Sequence, residues 1–311
     1  MHTSPVRICI VGCGAVGSLF AANLAQLDDV EVWAYDLARE HVDAINRNGL
    51  RLSGAGDVVG HPRATTDAAE LPPCAFGIVA TKAMHTGPAI AAAAHAFADG
   101  AVATVQNGIG NEETIAQHVP RVIRGTTFPA GKLVSPGHVQ WDVKGDTTLG
   151  PFEPRPAPQD EIERLAEACT RAGMPTAAVA DARGPQWRKV IFNASTNPIG
   201  ALTGLTHGRV CEEPSLRRLV SALVDEGKAV AEAQGITLDA DPEELIDHAA
   251  RPEVAYDHKA SMLQDVEARR ATEIDYLNGG IVRFGQAHGV PTPLNAAIWA
   301  LVKGLERSWA R

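Results

Sequence analysis

Lys189, Asn193 and Asn197 recur every fourth residue in the stretch "WRKVIFNASTNP", the spacing at which side chains of a helix share one face. Val190, Ile191 and Phe192 cover the other faces, so the polar face is wet, charged or ligand-bound. A solvated surface helix usually mixes charges of both signs in i, i+4 pairs. Here one cation is followed by two neutral amides, a set that suits a small ligand. The alternative is an exposed face ahead of a helix end. Pro198 lacks an amide hydrogen, frees the carbonyl of Ala194 and disfavours helical geometry at Asn197, so the helix is expected to bend or stop there.

A second constellation, "IVGCGAVGSLF", places G-x-G-x-x-G at Gly12, Gly14 and Gly17 between a strand-like and a helix-like run. The first glycine permits a tight turn, the second lets a pyrophosphate approach the backbone, and the third allows close packing of helix on strand. The start of the helix adds amide donors and a positive dipole end. Gly12, Gly14, Ala15, Val16 and Gly17 are therefore the expected cofactor-binding residues. The run "VEVWAYD" should end a second strand at Asp36, near the offset of about 20 residues at which a carboxylate accepts hydrogen bonds from ribose hydroxyls. That choice favours NAD(H). Arg39 and Arg47 stand close enough to offer counter-charge to a 2'-phosphate and leave NADP(H) open, and a solvated turn aspartate is the plainer alternative.

The elements that must position these residues follow from the alternation of short apolar runs and helical stretches in the first half, "RICIVG", "SLFAANLAQL", "VEVWAYD", "REHVDAINRNG", "AFGIVAT", "IAAAAHAFA" and "AVATVQNG". Alternating strand and helix implies an α/β fold with a doubly wound parallel sheet. Residues 121–150 read as hairpin pieces that could edge the same sheet, and a helix is expected over residues 160–172. From Gly184-Pro185 onward strand patterns are scarce, and the second domain should be all helical. The boundary is placed near Asp181, giving a dinucleotide-binding domain over 1–180, a helical substrate and catalytic domain over 181–311, and an expected cleft between them.

Of the 311 residues 45% are hydrophobic, and no run is long enough to span a bilayer. The N-terminal "MHTSPVRICIVG" passes straight into a strand-like run and lacks a cleavable signal pattern, so a cytoplasmic location is expected. With 37 acidic against 28 basic residues and a net charge of -9, nucleic acid and anionic membranes are disfavoured as partners. Cys9, Cys13, Cys74, Cys169 and Cys211 are odd in number and lack CxxC spacing, which argues against a disulfide framework or a metal site and for small core residues.

Several motifs together carry a resemblance. The glycine turn, "ATKAMHT" with Lys82, "QNGIGNEE" with Asn107, the Lys189 helix, and "KASMLQDVEARRATEIDYLNGG" with Ser261 and Glu273 follow in order over essentially the whole chain. In this the sequence resembles the ketopantoate reductase (2-dehydropantoate 2-reductase) family. The resemblance implies a Rossmann domain joined to a helical domain and reduction of a small-molecule 2-oxo acid by hydride from NAD(P)H. It also implies Lys189 as catalytic lysine, Glu273 as its partner carboxylate, and Asn193, Asn197 and Ser261 as substrate-binding groups. Lys82 and Asn107 would line the cofactor and substrate side of the cleft. Family members commonly carry an arginine for NADPH at the end of the second strand; Asp36 stands at that place here, a departure that bears on cofactor choice.

Hydride arriving at C2 pushes negative charge onto the carbonyl oxygen, and an ammonium there both stabilises it and supplies a proton. Burial alone would lower the lysine's pKa and a nearby Glu273 would raise it. Local patterns offer plainer roles: "TEID" reads as a capping box opened by Thr272, Ser261 as a helix N-cap, Lys82 as a solvated loop lysine, and Asn107-Gly108 as a simple turn. Rival functions are an NAD-dependent 2-hydroxyacid dehydrogenase of the same superfamily acting on a branched or aromatic 2-oxo acid, a 3-hydroxyacid dehydrogenase, and a non-catalytic dinucleotide sensor. A homodimer is left open.

Overall fold

A computed structural model of the chain describes residues 5–309; residues 1–4, the polar lead on which part of the N-terminal reading rests, lie outside the described residues. The chain divides into two compact units. One runs to Gln106 and resumes over Asn111–Ala182, and the other comprises Asn107–Gly110 and the chain from Arg183 onward.

The apolar runs of the first unit become β1 (Val6–Val11), β2 (Val30–Tyr35), β5 (Arg63–Thr65), β6 (Phe76–Val79), β7 (Ala101–Thr104) and β8 (Val122–Thr127). Between them lie α1 (Ala15–Leu24), α2 (Arg39–Asn48), two short strands β3 (Leu50–Gly54) and β4 (Val58–Gly60), α3 (Thr86–Ala93) and α4 (Asn111–Ile115). The unit closes with β9 (Ala130–Ser135), β10 (His138–Val143), β11 (Thr147–Pro151), α5 (Gln159–Arg171) and β12 (Thr176–Ala178). The main sheet has the order β12-β11-β8-β7-β6-β1-β2-β5. Its strands are parallel from β5 to β8, while β11 runs antiparallel to β8 and carries β12 parallel to itself. Every residue of β6 and β7 is buried, as expected of strands covered on both faces. Strand order reverses between β1 and β6, the place where open α/β sheets bind ligands.

The hairpin region departs from the sequence expectation. Only β8 and β11 join the main sheet; β9 and β10 combine with β3 and β4 in a separate sheet of order β4-β3-β10-β9. The reason lies in α1, whose residues from Gly17 to Leu24 are all buried. A helix apolar on all sides needs cover on all sides. The main sheet covers one side of α1, and the second sheet packs on it as well, so closely that a Cβ on Gly60 would lie 2.4 Å from the Ala22 carbonyl oxygen.

The second unit contains α6 (Arg183–Thr203), α7 (His207–Glu212), α8 (Pro214–Ala233), α9 (Pro242–Ala249), α10 (Ser261–Glu267), α11 (Asn278–Ala287) and α12 (Pro293–Trp309), with no strand among its described residues. Helix α6 is its centre, burying Trp187, Val190, Ile191, Ala194 and Ile199 against α8, α9, α10 and α12. It does not stop at Pro198 but continues to Thr203. Proline removes the donor for the Ala194 carbonyl, and Asn278 Nδ2 of α11 replaces it at 2.9 Å. The same Nδ2 donates to Asn295 Oδ1 at 2.9 Å, and Asn295 is held in turn by Glu226 through its backbone N–H at 2.9 Å and Nδ2 at 2.7 Å. A buried polar relay from α8 and α12 thus makes good the hydrogen bond that the proline breaks. No helix among the described residues is long and apolar enough to cross a membrane.

Candidate active site

The glycine turn joins β1 to α1 and shows why each glycine is there. Gly12 has φ +90, and a Cβ on it would fall 2.5 Å from Thr81 Cγ2; one on Gly17 would fall 2.0 Å from the Gly12 carbonyl oxygen. A Cβ on Gly14 would meet nothing within 4 Å, so the turn opens onto free space at that residue. Gly14 is also the N-cap of α1, and no side chain caps that end. The first-turn amides of Ala15, Val16 and Gly17 therefore lack a side-chain acceptor, and their combination with an open approach at Gly14 fits a pyrophosphate.

Asp36 follows β2 and stands against this turn. Its Oδ2 accepts from the Cys13 N–H and its Oδ1 from the Ala38 N–H, both at 2.8 Å. The carboxylate is thereby aimed and keeps a lone pair on each oxygen for further donors. Sequence reasoning missed the support beneath. Ser18 Oγ donates to the Cys13 carbonyl at 2.9 Å and lies 3.5 Å from His41 Nε2, while His41 Nδ1 accepts from the Gly137 N–H at 3.0 Å. That last bond leaves the imidazole proton on Nε2, facing Ser18. Burial holds His41 below the usual histidine range, despite the opposing field of Asp36. Lys82 is half-buried just after β6, at the head of a short turn, Ala83–His85. Gln106, also missed, ties that segment to the end of β7 by donating to the Thr81 carbonyl at 2.9 Å and to Thr86 Oγ1 at 2.7 Å.

In the helical unit the face of α6 raised by the sequence is not a solvated one. Asn193 is 7% and Asn197 8% exposed, and Lys189 is half-buried one turn earlier. Burial pushes the Lys189 ammonium down to about 8, and the Glu273 carboxylate opposes that fall. Glu273 is itself buried, on a turn and not at a helix start. The capping box read in "TEID" does not form, because α11 begins only at Asn278 and Asp275 is engaged by Trp299 and Lys303. The Thr272 hydroxyl instead accepts from the Ile274 N–H at 3.3 Å.

Asn107-Gly108 is more than a simple turn. The Ile109 N–H donates to the Tyr276 carbonyl at 3.0 Å, and a Cβ on Gly108, at φ +87, would meet Tyr276 Cβ at 2.7 Å. Asn107 thus lies on a segment docked against the turn of Glu273. Ser261 is the first residue of α10; its N-cap is Ala260, so the N-cap role read for Ser261 is not filled, and its side chain is exposed. The unit brings Lys189 and Glu273 together, sets Asn193 and Asn197 on the same face, and packs α10, with Ser261 at its start, on α6. No cluster of metal-binding side chains occurs among the described residues, and Cys9, Cys13, Cys74 and Cys169 are buried free thiols, with Cys211 half-buried.

A glycine turn at the switch point of a parallel sheet, followed by an oriented carboxylate after the second strand, defines a dinucleotide-binding protein; here it is combined with a helical unit that holds a half-buried lysine and a buried carboxylate. The chain belongs to the ketopantoate reductase family. The model described as Ketopantoate reductase PanE/ApbA matches residues 8–154, and that of its C-terminal part matches residues 181–306. The chain is 34% identical over 302 residues to a 2-dehydropantoate 2-reductase of Pyrococcus horikoshii, covering 97% of this chain and 98% of that one. It superposes with TM-score 0.88 at 29% identity on the crystal structure of a PanE/ApbA family ketopantoate reductase from Ralstonia eutropha, covering 98% of this chain and 100% of that one. A D-mandelate dehydrogenase solved with NADH and anilino(oxo)acetate is similar at TM-score 0.89 and 28% identity, again over 98% and 100%.

Proposed function

We propose that this protein reduces the C2 carbonyl of a 2-oxo acid, with ketopantoate as substrate and Lys189 as general acid. The observation that carries the reading is the pairing of half-buried Lys189 of α6, its ammonium at about 8, with the Glu273 carboxylate that opposes its fall, in a chain of this family. A nicotinamide dinucleotide, when bound, supplies the hydride. Gly12, Gly14, Ala15, Val16 and Gly17 would hold its pyrophosphate and Asp36 its ribose, and Lys82 and Asn107 would serve the cofactor and substrate, the roles that the family resemblance implies for them.

The chain's own residues account for the rest. As the substrate oxygen gains negative charge, the Lys189 ammonium stabilises it and passes it a proton. Glu273 keeps that proton on the amine near neutral pH against the cost of burial. Asn193 and Asn197 offer amide donors and acceptors to substrate oxygens without adding charge, and Ser261 offers a hydroxyl to the carboxylate.

Asp36 supports NADH as the preferred donor, since a 2'-phosphate beside it would meet like charge and Arg39 is turned to Thr66 Oγ1 at 3.4 Å. This same residue, with the likeness to a D-mandelate dehydrogenase solved with NADH, favours a second reading: an NADH-dependent 2-hydroxyacid dehydrogenase for an aromatic 2-oxo acid. Initial rates with NADH and NADPH, each against ketopantoate and phenylglyoxylate, separate the two. Selective ketopantoate reduction upholds the first reading. Selective phenylglyoxylate reduction replaces the substrate and keeps the lysine chemistry, and no turnover of either acid with either cofactor refutes both.

A further inference from the structure

Glu273 sits on a turn ahead of α11, and its carbonyl accepts from the Tyr276 N–H at 2.9 Å and the Leu277 N–H at 3.1 Å. The residues flanking it are held from outside, by one face of α12. Thr272 donates to Glu306 Oε1 through its N–H at 2.8 Å and its hydroxyl at 2.7 Å. Asp275 accepts from Trp299 Nε1 at 2.6 Å and from Lys303 Nζ at 2.9 Å. Lys303 closes the circuit on Glu306 Oε2 at 2.8 Å. Trp299, Lys303 and Glu306 follow at intervals of four and three residues, so they form a single stripe of the helix. The same helix packs on α6, which carries Lys189.

We propose that α12 is a positioning clamp for Glu273, with Glu306 and Lys303 as the residues that keep the turn, and with it the carboxylate, beside Lys189. The clamp rests on the reading of Lys189 and Glu273 as acid and partner. Its logic is electrostatic: the field of a carboxylate at an ammonium falls with distance, so a turn free to wander would support the proton less. The charged groups facing the turn are Lys303 and Glu306 from α12, Lys189 from α6, and Arg283 from α11, which donates to the Asp275 carbonyl at 2.7 Å. Signs alternate along Glu306, Lys303 and Asp275, two carboxylates about one ammonium, and the Arg283 guanidinium offsets the remaining negative charge, so the clamp steers the turn without adding a net field of several charges.

The test is the proton affinity of Lys189, read without turnover by competitive acetylation with acetic anhydride across pH and quantified at that residue by peptide mass spectrometry. Wild type is compared with Glu273→Gln, Glu306→Ala, Glu306→Gln and Lys303→Met. Loss of an apposed carboxylate lowers a lysine's pKa by about one unit or more, the fall expected for Glu273→Gln. Glu306→Ala is expected to follow in the same direction, while Glu306→Gln, which keeps an oxygen acceptor for Thr272, stays near wild type. Lys303→Met supplies a test of sign that does not depend on Glu306→Ala folding: deletion of a cation by itself would raise the pKa of Lys189, whereas release of the turn lowers it. A fall in Glu273→Gln with no fall in the α12 variants overturns the clamp and leaves the proposed function standing. Equal falls in Glu306→Ala and Glu306→Gln reduce the effect to charge and also overturn it. No fall in Glu273→Gln removes the acid and partner pairing and the clamp with it.

Discussion

If Lys189 is the acid of the reduction, the reaction must follow its protonation. With the ammonium at about 8, about nine-tenths of the enzyme carries the proton at pH 7 and about one-tenth at pH 9, so kcat/KM for reduction should fall about tenfold between them. The sign reverses for the oxidation of the hydroxy acid, where the neutral amine accepts the proton and the rate should rise through the same pH. Glu273→Gln removes the group that opposes the burial effect, so both limbs should move to lower pH. Lys189→Met should lose about 10² to 10⁴ in rate together with the limb itself. Stability offers an independent check. An unfolded lysine holds its proton to about pH 10.4, whereas the folded one releases it at about 8. Between those values the unfolded state binds more protons, so the stability of wild type relative to Lys189→Met should rise with pH across that window. The assay is initial-rate nicotinamide absorbance in both directions from about pH 6 to 10, with urea unfolding of both proteins at each end. A reduction rate flat through pH 9, or a Lys189→Met variant within a few-fold of wild type, would refute the acid role.

Asp36→Arg should swing cofactor preference toward NADPH, because it exchanges a carboxylate for a guanidinium beside the glycine turn; an unchanged ratio of kcat/KM for the two cofactors would sink the ribose reading. Asn278→Ala should cost about 1–3 kcal/mol for each polar group it orphans, the Ala194 carbonyl and Asn295 Oδ1, measured by urea unfolding; a loss under about 0.5 kcal/mol would mean that α6 does not depend on the replacement bond. Gly14→Ala should fold normally yet bind NADH more weakly in titration calorimetry, since its Cβ enters open space, whereas Gly17→Ala should fail to fold soundly because its Cβ meets a backbone oxygen. Equal behaviour of the two variants would contradict the division of roles within the turn.

Much of this protein was legible in order along the chain. The glycine turn, the strand ending before Asp36, the parallel alternation and the helical second half all rest on local signals: backbone freedom, a two- or four-residue period, and the lengths of apolar runs. The four-residue spacing of Lys189, Asn193 and Asn197 likewise suffices to put them on one face of a helix. What spacing does not encode is which distant group completes a hydrogen bond or covers a surface. Pro198 reads as a helix end because its lost bond is local, yet the donor that replaces it, Asn278, lies 84 residues beyond Ala194. "TEID" reads as a capping box because Thr272 and Asp275 have the right separation, yet Glu306, Lys303 and Trp299 claim both side chains first. The hairpin after β8 alternates like an edge of the main sheet, yet the all-round apolar α1 recruits it, with β3 and β4, as a second cover. In each case the local pattern offered one partner and the packed structure supplied a better one, because burial removes the water that would otherwise satisfy a polar group or cover an apolar face.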